Sequence, residues 1–210
     1  EEITLAQQLL SKAQNIADQK GLEKLALAIS RAHDMLLDQI GGVDSSTPQI
    51  RDGHNIGQIE DLLGRMKTKN IAAVSEAVPE EPVMLLVVAE GGMTLFNRVF
   101  PPENLIKGHL VGSFLSAIEA FSKEVFSSSI ERVTLGEHRL IMMQIRDNFS
   151  CSYVFKGESY SAIKKLKRFI RTLESNVSLW SILKNKLKTG SVLKNNEHSI
   201  INALVDKIFL

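Results

Sequence analysis

Cysteine is what the sequence has least of. A single one, Cys151, stands in 210 residues. That excludes an internal disulfide, a CxxC redox pair and a cysteine zinc site, and it fits a reducing compartment, so a cytoplasmic protein is expected. Long apolar runs are also missing. The strongest, Val83–Ala89, is far shorter than the roughly 18 residues of a membrane span. The opening EEITLAQQLL is acidic and helical, without the basic leader and apolar centre of a signal peptide. A chain that opens on Glu also reads as a fragment or a processed form. The five histidines, His33, His54, His109, His138 and His198, include no HxxxH pair. Only His138 has a neighbouring carboxylate, Glu137, in a turn where both are solvated, so no metal site is expected. Neither GxxxxGK[ST] nor GxGxxG occurs, which removes the common phosphate-binding loops. The sequons at Asn148 and Asn176 carry no weight, because so short a motif matches by chance.

Net charge is small, +1, but unevenly placed. Residues 1–82 hold 8 Lys/Arg against 13 Asp/Glu, a net of −5, whereas 83–210 hold 17 against 11, a net of +6. Two regions of different character follow. Hydrophobic content of 44% and charged content of 23% are those of an ordinary globular protein.

Leu5, Leu9, Ala13, Ile16 and Ala17 recur at helical spacing over 3–19, and Lys20-Gly21 ends that helix. A second helix over 22–40 carries Leu22, Leu25, Ala26, Ile29, Met35, Leu36 and Leu37. A short glycine turn between two such helices makes an antiparallel hairpin over 1–40. Residues 41–82 read as a linker, opening with the turn-rich GGVDSSTPQIRDG and holding a short helix at 55–67. Its carboxylate pairs, Glu60-Asp61 and Glu80-Glu81, read as solvated. From Val83 the pattern changes. Val83–Ala89 is β-prone without alternation, as in a strand buried on both faces. Gly91-Gly92 can take the positive φ of a tight hairpin, and Thr94–Phe100 returns as the second strand. A helix over 108–126 would place Leu110, Phe114, Ile118, Phe121 and Val125 on its core face, with Val111 and Leu115 beside them. Three strands follow, at 130–135, 139–146 and 149–156, turning at Gly136-Glu137 and Asp147-Asn148. Helices over 160–174, 177–188 and from 199 close the chain. The order ββαβββα, a five-stranded antiparallel sheet flanked by helices after a helical hairpin, predicts an α+β fold over 83–210.

That order, with VMLLVVAEGGMTLFNRVF opening it and SIERVTLGEHRLIMMQ and SYVFKGESYSAIKKLKRFI closing it, resembles longin-like domains and the related roadblock fold. It is similar in particular to archaeal proteins in which tetratricopeptide-type helices precede such a domain. The hairpin LLSKAQNIADQKGLEKLALAISRAHDMLL resembles a degenerate last repeat, departing from a full one where aromatics usually stand. The resemblance implies a non-catalytic platform that dimerises or binds a small GTPase or trafficking adaptor. On that reading the chain is no enzyme and carries no cofactor. The alternative, from another class, is a profilin-like sensor holding a small molecule between sheet and helices.

Two surfaces carry the expected interactions. Gly108, Gly112, Ser116 and Ala120 recur every four residues as a row of small side chains. On a solvated helix such a row is unfavourable, whereas close approach of another backbone accounts for it, either a partner's or, within the chain, that of 177–188 or the N-terminal helices. By the resemblance, this row and an edge strand with Ile130 and Val133 would meet the partner in a homodimer. The second surface is basic: Lys164, Lys165, Lys167, Arg168, Arg171, Lys184, Lys186 and Lys188, with Lys156 and Lys194, face only Glu158 and Glu174 between 156 and 194. Such a field attracts anionic headgroups at a membrane periphery or an acidic protein, or it is a solvated helix face that complements the acidic N-terminal part. Nucleic acid is disfavoured, because aromatics are sparse there and no binding motif occurs. Cys151, flanked by Ser150 and Ser152 with no cation nearby, reads as a buried small hydrophobe rather than a nucleophile.

Overall fold

Gly91 and Gly92 take φ of +80° and +86°, values that L side chains rarely adopt, and between them they turn the chain between its first two strands. The computed structural model describes residues 2–41, 77–100, 111–115, 117, 118, 120, 124, 131–191 and 193–210. The helix expected at 55–67, most of the linker, and Gly108, Ser116 and Ile130 lie outside them. The described residues form two compact units, one of 1–79 with Glu158–Tyr160 and the other of 80–157 with 161–210.

The first unit is an antiparallel hairpin of α1 (Glu2–Gln19) and α2 (Glu23–Gly41). Gly21 (φ +67°) closes α1: Leu22 N donates to Ala17 O at 2.9 Å and Gly21 N to Asp18 O at 3.1 Å, the pair of bonds that satisfies a helix C-terminus. Ala17, Ala26, Leu27, Ile29 and Tyr160 form its core, with Leu10, Ala13 and Leu25 against them. Arg31 makes a two-pronged ion pair to Glu158 at 3.0 and 3.1 Å. Asp34 accepts from the Ser159 backbone N–H at 2.9 Å, a carboxylate at the start of a helix.

The second unit is an α+β sandwich. Its five strands are β1 (Glu81–Ala89), β2 (Thr94–Val99), β3 (Arg132–Leu135), β4 (His138–Ile145) and β5 (Phe149–Lys156). They run in the order β2-β1-β5-β4-β3, with every pairing antiparallel. Helical residues 111–115, 117, 118, 120 and 124 (α3) lie between β2 and β3 in the chain. After β5 come α4 (Ser159–Ser175), α5 (Val177–Thr189) and α6 (Asn195–Phe209).

Strand alternation sorts the sheet into two faces. Leu85, Val87, Phe96, Ile141, Phe149, Cys151, Tyr153 and Phe155 point to the side that Leu166, Phe169 and Leu173 of α4, Leu179 and Leu183 of α5 and Val205 of α6 fill. Met84, Leu86, Val88, Leu140 and Met142 point to the other side and pack on Val111 and Leu115 of α3. Val83 through Ala89 are all buried, as expected of a strand covered on both faces. Arg146, Asp147 and Asn148 make the three-residue turn joining β4 to β5, the last two near φ +60°.

Candidate functional site

On three helices part of the expected apolar face is exposed. On α1, Leu10, Ala13, Gln14 and Ala17 turn inward, while Leu5, Leu9 and Ile16 are 57%, 58% and 51% exposed. On α2, Ala26, Ile29 and Leu37 of the expected face are buried together with Ser30, His33 and Asp34, while Met35, and Leu22 just before the helix, are exposed. On α3, Leu115 is 2% exposed and Phe114 53%, while Leu110, Phe121 and Val125 of the expected core face lie outside the described residues. Two apolar arcs run along each of these helices, and periodicity alone does not choose between them. Gly112 of α3 is buried, and a Cβ there would overlap Thr94 Oγ1, with Thr94 Cβ at 3.4 Å and Val88 Cγ2 at 3.7 Å. What Gly112 admits is thus the side chains of Thr94 and Val88 on the chain's own sheet.

The outward face of α3 carries Phe114, Ala117 and Ala120, all exposed. Val133 is half-buried in the same cluster as Val111 and Leu115, so α3 and β3 are neighbours. β3 is an edge of the sheet and Leu135 at its end is 47% exposed. An exposed aromatic with small side chains nearby, beside a strand that no described strand pairs on its outer side, is suited to contact with another protein chain.

Much of the basic field is neutralised by carboxylates distant in sequence. Lys165 pairs with Glu80 at 2.8 Å, Lys184 with Asp147 at 3.1 Å, Lys186 with Glu197 at 3.1 Å and Lys156 with Glu137 at 2.9 Å. The Lys156 ammonium holds the Glu137 carboxyl below its usual range by hydrogen bonding and charge. Lys164, Arg168 and Arg171 on α4, Lys188 on α5 and Lys194 before α6 are exposed, with Lys167 half-buried.

Glu80 does not sit on a solvated linker. Its side chain is 0% exposed, and it accepts from the Tyr153 hydroxyl at 3.0 Å besides pairing with Lys165. Burial, and then the Glu80 charge, push the Tyr153 phenol far above its ordinary value. Lys165 Nζ also donates to Phe209 O at 3.2 Å, so one ammonium ties the entry of β1 to the end of α6. The buried tyrosine in β5, paired with the strand that Glu80 immediately precedes, was the available signal for this cluster.

Cys151 is fully buried, and desolvation pushes its thiol well above 9.0. Its raised native value means that it favours the fold below the thiol's ordinary pKa, and that this contribution fades as pH rises beyond it. A thiol reagent at pH 8 is therefore expected to modify Cys151 only at the rate of unfolding. Rapid stoichiometric modification of the folded protein would contradict that placement.

No described helix is long and apolar enough to cross a membrane, and no group of three or more His, Cys, Asp or Glu among the described residues could hold a metal ion. No protein-family model and no curated protein sequence matches the chain. Among solved structures it is similar to a Roadblock/LC7 domain from Streptomyces avermitilis, at 7% identity over 36% of this chain and 67% of that one, with a TM-score of 0.30. So slight a likeness carries no argument, and function has to be read from the surfaces.

Proposed function

We propose that this protein is a non-catalytic interaction module that works as a homodimer and offers its surface to a small GTPase or a similar regulatory partner. The observation that carries the reading is the exposed Phe114–Ala117–Ala120 face of α3 beside the open β3 edge. An isologous dimer would bury both at once, pairing β3 with its copy and Phe114 against the partner's helix. Ala120 and Val133 stay in this interface, and Gly112 sets the approach of α3 to the sheet beneath it. The exposed Leu5, Leu9 and Ile16 of α1 add a second apolar surface of the kind that protein partners cover. The small GTPase rests on the longin and roadblock resemblance of the sequence alone, as do the repeat-like reading of 1–40 and a cytoplasmic location.

Light scattering tests the dimer. Phe114→Arg is expected to give a folded monomer whose melting temperature stays close to that of the parent, because the side chain it replaces is already exposed. A monomeric parent, or a variant that remains dimeric, would overturn the assignment. Binding assays with small GTPases in both nucleotide states test the partner class; equal, weak binding in both states would remove it.

A second reading is favoured by one observation on the α3 side of the sheet. Thr94 Oγ1 and Ser152 Oγ are buried and make no hydrogen bond to a described residue. Hydroxyls left in that condition are satisfied by water or a small polar ligand. Thermal shift with nucleotides and metabolites addresses it, and a rise in melting temperature with one of them would favour the sensor.

A further inference from the structure

Leu5, Leu9 and Ile16 of α1 are each more than half exposed, and Lys12 is exposed between the last two. Spacings of four, three and four residues set these side chains on an arc about 60° wide that runs about 16 Å along the helix. It is not the arc by which α1 packs on α2, where Leu10, Ala13 and Ala17 turn inward. Gln8, Asn15 and Gln19, all exposed, border it on one side without charge. Lys12 is thus the one cation of an apolar strip, and no described carboxylate pairs with it.

From this arrangement we infer that the Leu5–Leu9–Lys12–Ile16 strip of α1 docks an amphipathic helix of a partner protein, one with a carboxylate in its apolar row opposite Lys12. Alternating spacings of four and three residues are those by which one helix meets another along a seam, the side chains of each filling gaps on the other. A charged residue inside such a seam selects the partner, because a carboxylate across from it compensates the water it loses. A second copy of α1 fits poorly. Any pairing that covers both Leu5 and Ile16 sets Lys12 against Leu9 or against its own counterpart, with two ammonium groups close together. A bilayer fits no better, since the strip is narrow and its border holds glutamine and asparagine rather than basic residues. Three apolar anchors make a weak, exchanging contact. The inference rests on the interaction-module reading and names a partner for it, on a surface separate from α3 and β3, so the dimer can fail while this surface stands.

Fluorescence anisotropy tests it with a trace of a labelled, helix-constrained two-heptad peptide. The peptide has Leu at the first and fourth positions of each heptad, except for one inner position that holds Glu; a copy with Lys in its place is the comparison. The parent is expected to bind the Glu peptide roughly five-fold more tightly than the Lys peptide, and Lys12→Glu to reverse that order. Leu9→Gln should weaken both, and Phe114→Arg, which removes the dimer, neither. Because Leu9 and Lys12 are exposed, their variants should keep the parent's circular dichroism melt. Leu9→Cys adds a reading that needs no peptide: a maleimide is expected to take the new thiol rapidly and to leave the buried Cys151 unmodified. Failure of the parent to bind either peptide, or the same preference in parent and Lys12→Glu, would overturn the inference. So would slow labelling of Leu9→Cys, which would mean that the chain itself or a second copy already covers the strip.

Discussion

Lys165→Met is expected to destabilise the sheet unit by about 3 kcal/mol, and Glu80→Gln in the same chain is expected to recover most of that loss. The reason is the environment of Glu80. Its side chain has no solvent exposure, and its carboxylate meets the Lys165 ammonium at 2.8 Å and the Tyr153 hydroxyl at 3.0 Å. Removing the cation leaves a buried charge with one neutral donor, which costs far more than the intact pair contributes. Lys165 itself is partly open to water, which holds the effect at the lower end of the range seen for broken buried pairs. The neutral amide of Gln can still accept from Tyr153, so the double variant keeps one hydrogen bond and loses the stranded charge. Lys165 also holds the Phe209 carbonyl, so a residue of the loss should persist in the double variant. Urea unfolding followed by circular dichroism gives both numbers. Equal instability of the single and double variants would show that the charge on Glu80 is not what Lys165 compensates.

The second large effect is at the β4–β5 turn. Trp180→Ala is expected to cost about 3–5 kcal/mol, whereas Trp180→Phe should cost markedly less. Trp180 packs edge-on against Phe149, with ring centroids 5.2 Å apart, and the Arg146 guanidinium lies 4.7 Å above its indole ring. Its Nε1–H donates to Asp147 Oδ2 at 3.0 Å, on a residue held at φ +60°. Hydrogen bonds from Lys184 and then from Trp180 hold the Asp147 carboxyl below its usual range. Alanine removes the packing, the cation–π contact and the hydrogen bond together; phenylalanine keeps the first two and drops the third, a loss of about 1 kcal/mol. As this is the only tryptophan in the chain, circular dichroism rather than fluorescence should follow the unfolding. If Phe and Ala cost the same, the hydrogen bond to the turn, not the packing, is what stabilises this corner.

These two sites differ in how far the sequence announces them. The Asp147-Asn148 turn, the glycine hairpin and the inward row Ile163, Leu166, Phe169 and Leu173 follow from local chemistry: residues that tolerate positive φ, and apolar side chains at a single clear helical spacing. β5, Phe149–Lys156, falls where its β-prone residues place it. Glu80 does not follow from anything local. It stands among Pro and Glu in what reads as a linker, and its partners lie 73 and 85 positions further along. Long-range ion pairs also reshape the basic surface, since the carboxylates that take Lys165, Lys184 and Lys186 lie outside the segment that holds those lysines. The outward place of Phe114 has another origin. Val111 and Leu115 meet the sheet, and Gly112 between them, with no side chain, lets the helix approach Thr94.

Hydrogen exchange at the β3 edge, measured over a range of protein concentrations, tests the interaction module most directly. If two copies pair through β3 and α3, backbone amides in Arg132–Leu135 should exchange slowly at high concentration. They should exchange faster on dilution, and faster at every concentration in Phe114→Arg. Exchange over these residues that is rapid and independent of concentration, and identical in parent and variant, would contradict the account.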